Sequence, residues 1–398
     1  MFKQEFYFSQ EFNIFFEQFK HQNVDEIALK LSSKNIPFKK ELIQQISGWQ
    51  KSKDKLPLWH KTKGIIFPPK INLEQCSSEA TASYKSKNYK GKIGIDLTGG
   101  FGIDSYYLSK KFDEFFYVEP NLSLLNIVQH NFQILGVKNV VYVNKTAEEF
   151  ILEFNKKADL IYIDPSRRDE NNRKLSALKN TQPDVLRLLD TIKNKCDSLV
   201  IKASPMLDIK QSIEELKNVC SIKIIAIENE CKEIVFELKF NQAIKEASIK
   251  AVDIKGELIK EFDFTFSSEN NTSVETGKIE SYLYEPSSAI IKAGAFKYLT
   301  KIYPVKKLHP NTHLYTSNQF IEDFQGRVFK VNTVCPYKKE KVVQYLKNQK
   351  ANLSTRNFKD NSDAVKKKLG IKDGGNDYLF ACTDYQNKPV IIICEKIN

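Results

Sequence analysis

The spacing of hydrophobic residues changes three times along the chain. Over residues 1–88 apolar side chains recur every three or four positions, as in FNIFFEQF (12–19) and VDEIALKL (24–31), and that spacing predicts helices. Pro57, Pro68 and Pro69 interrupt the pattern. SSEATASYKS (77–86) predicts one more short helix, capped by Ser77 or Ser78. From 89 to 240, short apolar runs alternate with longer amphipathic stretches. The runs are IGIDL, FFYVE, NVVYV, DLIYID, SLVIKA, IKIIAI and IVFELKF, with LSLLNIVQHNFQIL and PDVLRLLDTIKN among the stretches between them. Such alternation predicts a parallel sheet with helices on both faces. Only Asn229 to Cys231 separate the last two strands, so these should pair as an antiparallel hairpin.

Residues 241–325 predict a hairpin, EASIKAVDI and ELIKEFDFTF around Lys255-Gly256, and then a helix over 287–303. From 326 to 398 the order strand, helix, strand, helix, strand, strand predicts a small α+β domain, with a helix over 338–348. The expected division is therefore a helical region (1–88), an α/β domain (89–240), a segment of mixed character (241–325) and an α+β end (326–398).

Composition narrows the class. In 398 residues the hydrophobic fraction is 41%, enough to build cores, which excludes a disordered or collagen-like chain. No apolar run approaches the roughly 18 residues of a membrane span, and MFKQEFYFSQEF lacks the build of a secretion signal. A cytoplasmic protein without membrane contact is expected. The 7 cysteines are scattered and none form C-x-x-C, which argues against a disulfide scaffold or a cysteine zinc site. His309 and His313 lie close, but Pro310 keeps them off one helical face, so no metal is expected. Net charge is +12. Residues 326–398 hold 15 Lys/Arg and 7 Asp/Glu, a balance of +8 within the last 73 residues. A basic end of that kind suits a polyanion such as RNA.

Two segments carry the candidate chemistry. IGIDLTGGFGID (93–104) is a strand, Asp96, a turn of Thr98, Gly99, Gly100 and Gly102, and a helix start. Glycines let a backbone pass close to a ligand and take positive φ, and the helix start favours a negative group. Nicotinamide-binding chains share a glycine turn, but Ser105 stands where the third glycine of G-x-G-x-x-G would fall. Asp96, just ahead of the glycines, is placed to accept from an ammonium group. Glu119 ends the second strand, 23 residues on, where a carboxylate can accept both hydroxyls of a ribose. Thr146, after the third strand, stands where a side chain could meet an adenine amine. DLIYIDPSRR (159–168) ends the fourth strand, with Asp164 beside the reacting centre. Pro165 fixes the backbone so that Ser166 faces the pocket, and Arg167 and Arg168 can grip a phosphate or base. Lys202 and Ser204 border the same edge from the fifth strand. No cysteine lies in 164–172 or 202–208, which disfavours a covalent pyrimidine mechanism.

DLTGGFGID, DPSRR, IKASPMLDI, EPSSAIIKAGAFKYL with KKLHPNTHLYTS, and KKKLGIKDGGNDYLF together resemble bacterial class I S-adenosylmethionine (SAM) methyltransferases with a C-terminal THUMP-like domain. The resemblance implies an α/β fold: a Rossmann-like seven-stranded methyltransferase domain, an N-terminal helical region, a ferredoxin-like piece over 241–325 and a THUMP-like end. It implies SAM as cofactor and RNA as partner. One departure stands out: amino-group methyltransferases of nucleic acids usually carry an aromatic residue two places after the proline, and this chain has Arg167 there.

The expectation is a SAM-dependent methyltransferase acting on a nitrogen of tRNA or rRNA. Catalytic residues would be Asp164, Pro165, Ser166 and Arg167; cofactor-binding residues would be Asp96, Thr98, Gly99, Gly100, Gly102, Glu119 and Thr146. A methyltransferase for a small molecule or protein, and a non-catalytic RNA-binding protein on the same fold, stay open beside it. The sequence does not fix the oligomeric state or the modified base.

Overall fold

The computed structural model describes residues 4–32, 35–167, 178 and 181–397. The chain divides into two units, residues 1–220 with 235–245 and residues 221–234 with 246–398.

In the first unit the alternating runs form parallel strands β1 (Gly91–Asp96), β2 (Phe112–Val118), β3 (Val140–Val143), β4 (Ala158–Ile163) and β5 (Cys196–Ala203). Their order is β3-β2-β1-β4-β5. In the middle, the buried Ile95 lies beside Phe116 on one side and the buried Ile161 on the other. A parallel sheet needs both faces covered. The helix Leu122–Ile134, capped by Asn121, covers one face with Leu125, Val128 and Phe132. The N-terminal helices Gln10–Phe19, Val24–Ser32, Lys39–Lys55 and Pro57–Lys61 belong to that same core: Phe12, Ile27, Leu42, Ile46 and Trp59 cluster with Phe101, Tyr106 and Phe132. Asn131 ties this layer to the connecting segment, its amide bonding both N–H and C=O of Ile66 (2.8 and 2.9 Å). Because the strands are parallel, all their carboxyl ends meet at one edge, the edge where open α/β sheets bind ligands.

The expected hairpin forms from β6 (Val219–Ile227) and β7 (Glu230–Lys239), turned by Glu228 and Asn229, both at positive φ. In the first unit β7 lies next to β5.

In the second unit β8 (Ser248–Lys255) and β9 (Leu258–Phe264) pair antiparallel as predicted. β8 also runs parallel to β6, with Ile249 beside Ile222, a long-range pairing that local periodicity does not reveal. A seven-stranded sheet follows. It contains β10 (Tyr282–Pro286), β11 (Lys306–His309), β12 (Thr312–Ser317), β13 (Gly326–Pro336), β14 (Asn352–Arg356), β15 (Asp377–Thr383) and β16 (Pro389–Lys396). The order is β11-β12-β10-β13-β16-β15-β14. Two expectations need correction here. The helix over 287–303 is two helices, Ser288–Ala293 and Leu299–Ile302, because Gly294 takes φ +82° and caps the first. The helix over 338–348 is reduced to Lys339–Val343.

Candidate active site at the carboxyl edge of the sheet

The loop leaving β1 is pinned from both neighbouring strands. Leu97 N donates to Tyr162 O at 3.0 Å, and Gly99 N donates to Val118 O at 2.9 Å. Its three glycines are there for different reasons. A Cβ on Gly99 would sit 2.2 Å from the Tyr117 ring, and one on Gly102 would sit 2.8 Å from Val128. Gly100 takes φ +56°, and a Cβ there would meet nothing nearer than Thr98 O at 3.6 Å. So Gly99 and Gly102 leave no room for a side chain, whereas at Gly100 a Cβ would make only ordinary contact and the positive φ is what favours glycine.

Asp96 is buried, 2% exposed. Its Oδ1 accepts from Thr98 N (2.9 Å) and Oδ2 from Ser105 Oγ (2.5 Å). Ser105, the residue in place of a third glycine, thus holds this carboxylate. Burial pushes Asp96 up to about 7, against the bonds from Ser105 and Thr98. Thr98 links two strand ends: its hydroxyl donates to Asp96 Oδ1 (3.3 Å) and accepts from Asp164 N (2.6 Å).

Glu119, at the end of β2, clamps the loop. Oε2 accepts from Gly100 N at 3.0 Å and Oε1 from Asn121 N at 2.8 Å. Burial raises its carboxyl above the ordinary range, and the two backbone bonds oppose that. Each oxygen keeps a second lone pair. Thr146 is a helix cap: its hydroxyl accepts from Glu149 N (3.2 Å) and donates to Glu149 Oε2 (3.0 Å) in a reciprocal capping box.

Asp164 stands at the end of β4. Pro165 follows, and Ser166 and Arg167 pair antiparallel with Gln182 and Thr181. The Ser166 hydroxyl donates to Gln182 O at 3.2 Å. Arg168 lies outside the described residues, as does the side chain of Arg167. Ser204 turns its own loop, its hydroxyl accepting from Met206 N.

Behind Asp164 lies a buried charge network, most of which the sequence did not single out. Lys202 Nζ is 2.5 Å from Asp164 Oδ2 and 3.8 Å from Asp104 Oδ2. Lys85 Nζ is 2.8 Å from Asp104 Oδ1. Ser77 sits among them, donating to Asp104 (2.7 Å) and accepting from Lys85 (2.8 Å) and Lys202 (3.2 Å). Lys85 is 2% exposed, Lys202 7% and Asp104 8%. Despite burial, Lys85 and Lys202 hold Asp104 down at about 2. Desolvation raises Asp164, and Lys202 opposes it. Asp104, Lys85 and Ser77 lack a sequence signature: Asp104 reads as an acid in the first turn of a helix and Lys85 as a base in the last turn of another, both ordinary places for such charges.

His309 bonds Asn387 through Nε2 at 2.9 Å, and His313 stacks on Phe296 with centroids 3.6 Å apart. The two histidines therefore serve separate packing contacts. Among the described residues no helix is long and apolar enough to cross a membrane.

Residues 282–324 match the model of a ferredoxin-like domain, and residues 326–396 that of a THUMP domain-like family. Over its full length the chain is similar to a crystal structure from Porphyromonas gingivalis W83 described as a "putative methyltransferase". Identity is 30%, coverage is 100% of both chains, and the TM-score is 0.87. The chain belongs to this family. Its fold is accordingly that of a class I methyltransferase followed by ferredoxin-like and THUMP-like domains. Other solved structures match only part of it. M. capricolum TrmK, in complex with S-adenosylhomocysteine, shares 14% identity over 42% of this chain and 69% of its own, with a TM-score of 0.33. An rRNA methylase from Streptococcus thermophilus shares 13% over 41% of this chain and 95% of its own, with a TM-score of 0.31. No curated protein matches the chain.

Proposed function

We propose that the protein is a cytoplasmic, SAM-dependent methyltransferase that modifies a nitrogen of tRNA or rRNA. The observation that carries this reading is the cradle formed by Gly100 and Glu119 on the same carboxyl edge as Asp164. Glu119 is fixed by two backbone donors and keeps lone pairs for two neighbouring hydroxyls, as a ribose presents them. Gly100 carries no side chain to crowd a ligand there. Asp96 supports the loop through its bonds from Thr98 N and Ser105 Oγ, and in its ionised form would attract an ammonium group. The Thr146 hydroxyl gives its proton to Glu149 and accepts from Glu149 N, which leaves one lone pair to accept from an adenine amine.

SAM, when bound, supplies an electrophilic methyl group on a sulfonium. The chain's own part is to hold an acceptor in line with it, and positioning supplies much of the rate. Asp164 accepts a hydrogen bond from the acceptor and takes its proton. Pro165, Ser166 and Arg167 form the acceptor side, with Arg167 as the candidate to stack on a base. The THUMP-like domain and the +8 balance of residues 326–398 support RNA as the substrate.

One observation favours the alternative of a small-molecule or protein substrate. Arg356 and Lys366, two cations of the basic end, are taken up by Glu285 (2.6 Å) and Asp373 (2.8 Å). Transfer of labelled methyl from SAM in a cell extract, with the label followed into the RNA, protein and small-molecule fractions and the RNA nucleosides identified by mass spectrometry, decides between them. Label in RNA supports the first reading. Label only in the protein or small-molecule fraction supports the second, and no SAM binding by calorimetry removes both.

A further inference from the structure

On the methyltransferase reading, we infer that Lys202 is a positioning residue: with Asp104, Lys85 and Ser77 behind it, it fixes Asp164 as an ionised, oriented hydrogen-bond acceptor. The group methylated must then bring its own N–H or O–H. That points to an exocyclic amine, or another nitrogen bearing hydrogen, rather than a ring nitrogen without one.

The arrangement is more than packing requires. Replacing a buried ion pair by apolar residues is often neutral or stabilising, so a four-charge cluster gives a fold little that a hydrophobic one would not. This cluster has one wet end. Asp164 keeps 33% of its side-chain surface exposed at the strand edge, whereas the side chains of Lys85, Asp104 and Lys202 keep 2%, 10% and 9%. The charges are also ordered. Lys85 neutralises Asp104 at 2.8 Å, which leaves Lys202 closer to Asp164 (2.5 Å) than to Asp104 (3.8 Å). Ser77 gives its proton to Asp104 and receives one from each lysine, which fixes both ammonium groups. Among the described residues, titratable groups facing the cluster include Asp96 from β1, the Tyr162 hydroxyl at 3.5 Å from Lys85, and Cys76, whose thiol burial pushes up to about 11.

A carboxylate in this state accepts and cannot donate. In the transfer, the acceptor nitrogen forms a bond to the methyl carbon, and the carbon–sulfur pair leaves with the sulfur. The proton displaced from that nitrogen passes to Asp164 and then to water. An acceptor without hydrogen would find only a negative charge facing its own lone pair.

Carboxyl carbon NMR on the full chain with labelled aspartate, with Asp164 assigned through Asp164→Asn, tests the coupling without any substrate. Removing the cation in Lys202→Met should raise the Asp164 midpoint by about one to three pH units. Removing the like charge in Asp104→Asn should lower it, and Lys202→Arg should leave it near the wild-type value. Opposite signs distinguish a charge relay from loosened packing, which would move both variants the same way. Should Lys202→Met not fold, Asp104→Asn and Ser77→Ala give the answer. Methyl transfer adds the functional arm: its acid limb should move to higher pH in Lys202→Met by the same interval. An unmoved midpoint, or equal signs, overturns the role of Lys202 even if wild-type protein transfers methyl. A midpoint that moves in a protein that does not bind SAM keeps the coupling and overturns the methyltransferase reading. Methylation confined to a ring nitrogen without hydrogen overturns the acceptor assignment.

Discussion

The two ends of the chain handle charge in opposite ways. At the strand edge of the first unit, charge is inside: Asp96, Asp104, Lys85, Lys202 and Glu119 are all buried. Over residues 326–396 the buried side chains are almost all apolar. Val365, Leu369, Leu379, Ala381, Ile391 and Ile393 fill one face of the seven-stranded sheet, and Phe329, Phe380, Ile392 and Cys394 fill the other. There Lys359, Lys367 and Lys368 stay on the surface. Desolvating an ion costs several kcal/mol, so a fold that does so repeatedly at one place is holding those charges for a purpose. Exposed lysines cost nothing comparable and act at a distance, by drawing in a polyanion. On the proposed function, the buried charge marks where bonds are made and the surface charge where a partner is gathered.

The sharpest way to break that contrast is at its wet end. Asp164→Asn keeps the shape and removes the charge, and methyl transfer should fall by about 10²- to 10⁴-fold, as for loss of a general base. SAM affinity, measured by calorimetry, should hold. An Asn variant at full activity would mean that the acid does no more than pack. Deeper in, Lys85→Met leaves Asp104 with Lys202 at 3.8 Å as its ion-pair partner. Breaking a buried pair by removing one member costs about 3–5 kcal/mol, and urea unfolding followed by circular dichroism should show the loss. Little change there would show that the network is loosely held and the contrast overstated.

Glu119→Ala tests the cradle instead of the network. The two backbone donors it satisfies, Gly100 N and Asn121 N, lose their partner. Loss of a charge-assisted hydrogen bond of about 1.5–3 kcal/mol predicts SAM affinity lower by roughly ten- to a hundredfold. Calorimetric titration of the variant checks it, and unchanged affinity would remove the ribose role.

How far these parts could be read from sequence depends on their reach along the chain. Asp96, Gly100, Glu119 and Asp164 are legible because each ends a strand or sits in the turn after one, and strand ends follow from local apolar runs. The hairpin of β6 and β7 is legible for the same reason. Ser77 and Lys85 are not, and Lys202 is legible only as a strand-end residue and not as their partner, since the bonds span 27 residues from Ser77 to Asp104, 77 from Lys85 to Tyr162 and 125 from Lys202 to Ser77. Nothing local announces such a meeting. Ser77 illustrates this: next to Ser78 it reads as a rival helix cap, yet Ser78 takes the cap on Thr81 N (3.2 Å) and Ser77 joins the charges. Thr146 shows the opposite case, a position that reads both as a ligand contact and as a helix cap, and the capping box is the part local structure displays.

The smallest effect per residue belongs to the surface side of the contrast. Removing the chain from Gly326 onward would be a poor test, because β13 pairs with β10 and β16 in the middle of the seven-stranded sheet. Its loss would bare Leu283 and Tyr284, both fully buried. Arg356 and Lys366 are poor targets too, since each already holds an acid. Lys359, Lys367 and Lys368 are the better set. Exchanging all three for glutamine leaves both apolar faces intact and lowers the local charge from +8 to +5. Each phosphate contact on a single strand contributes about −0.7 to the log–log slope of affinity against salt. The triple variant should therefore flatten that slope by about 2 in a filter-binding series on purified RNA, with SAM affinity unchanged. Weakened binding with an unchanged slope would mean that these lysines act through shape, and equal affinity and slope would move the RNA-binding surface away from residues 359–368.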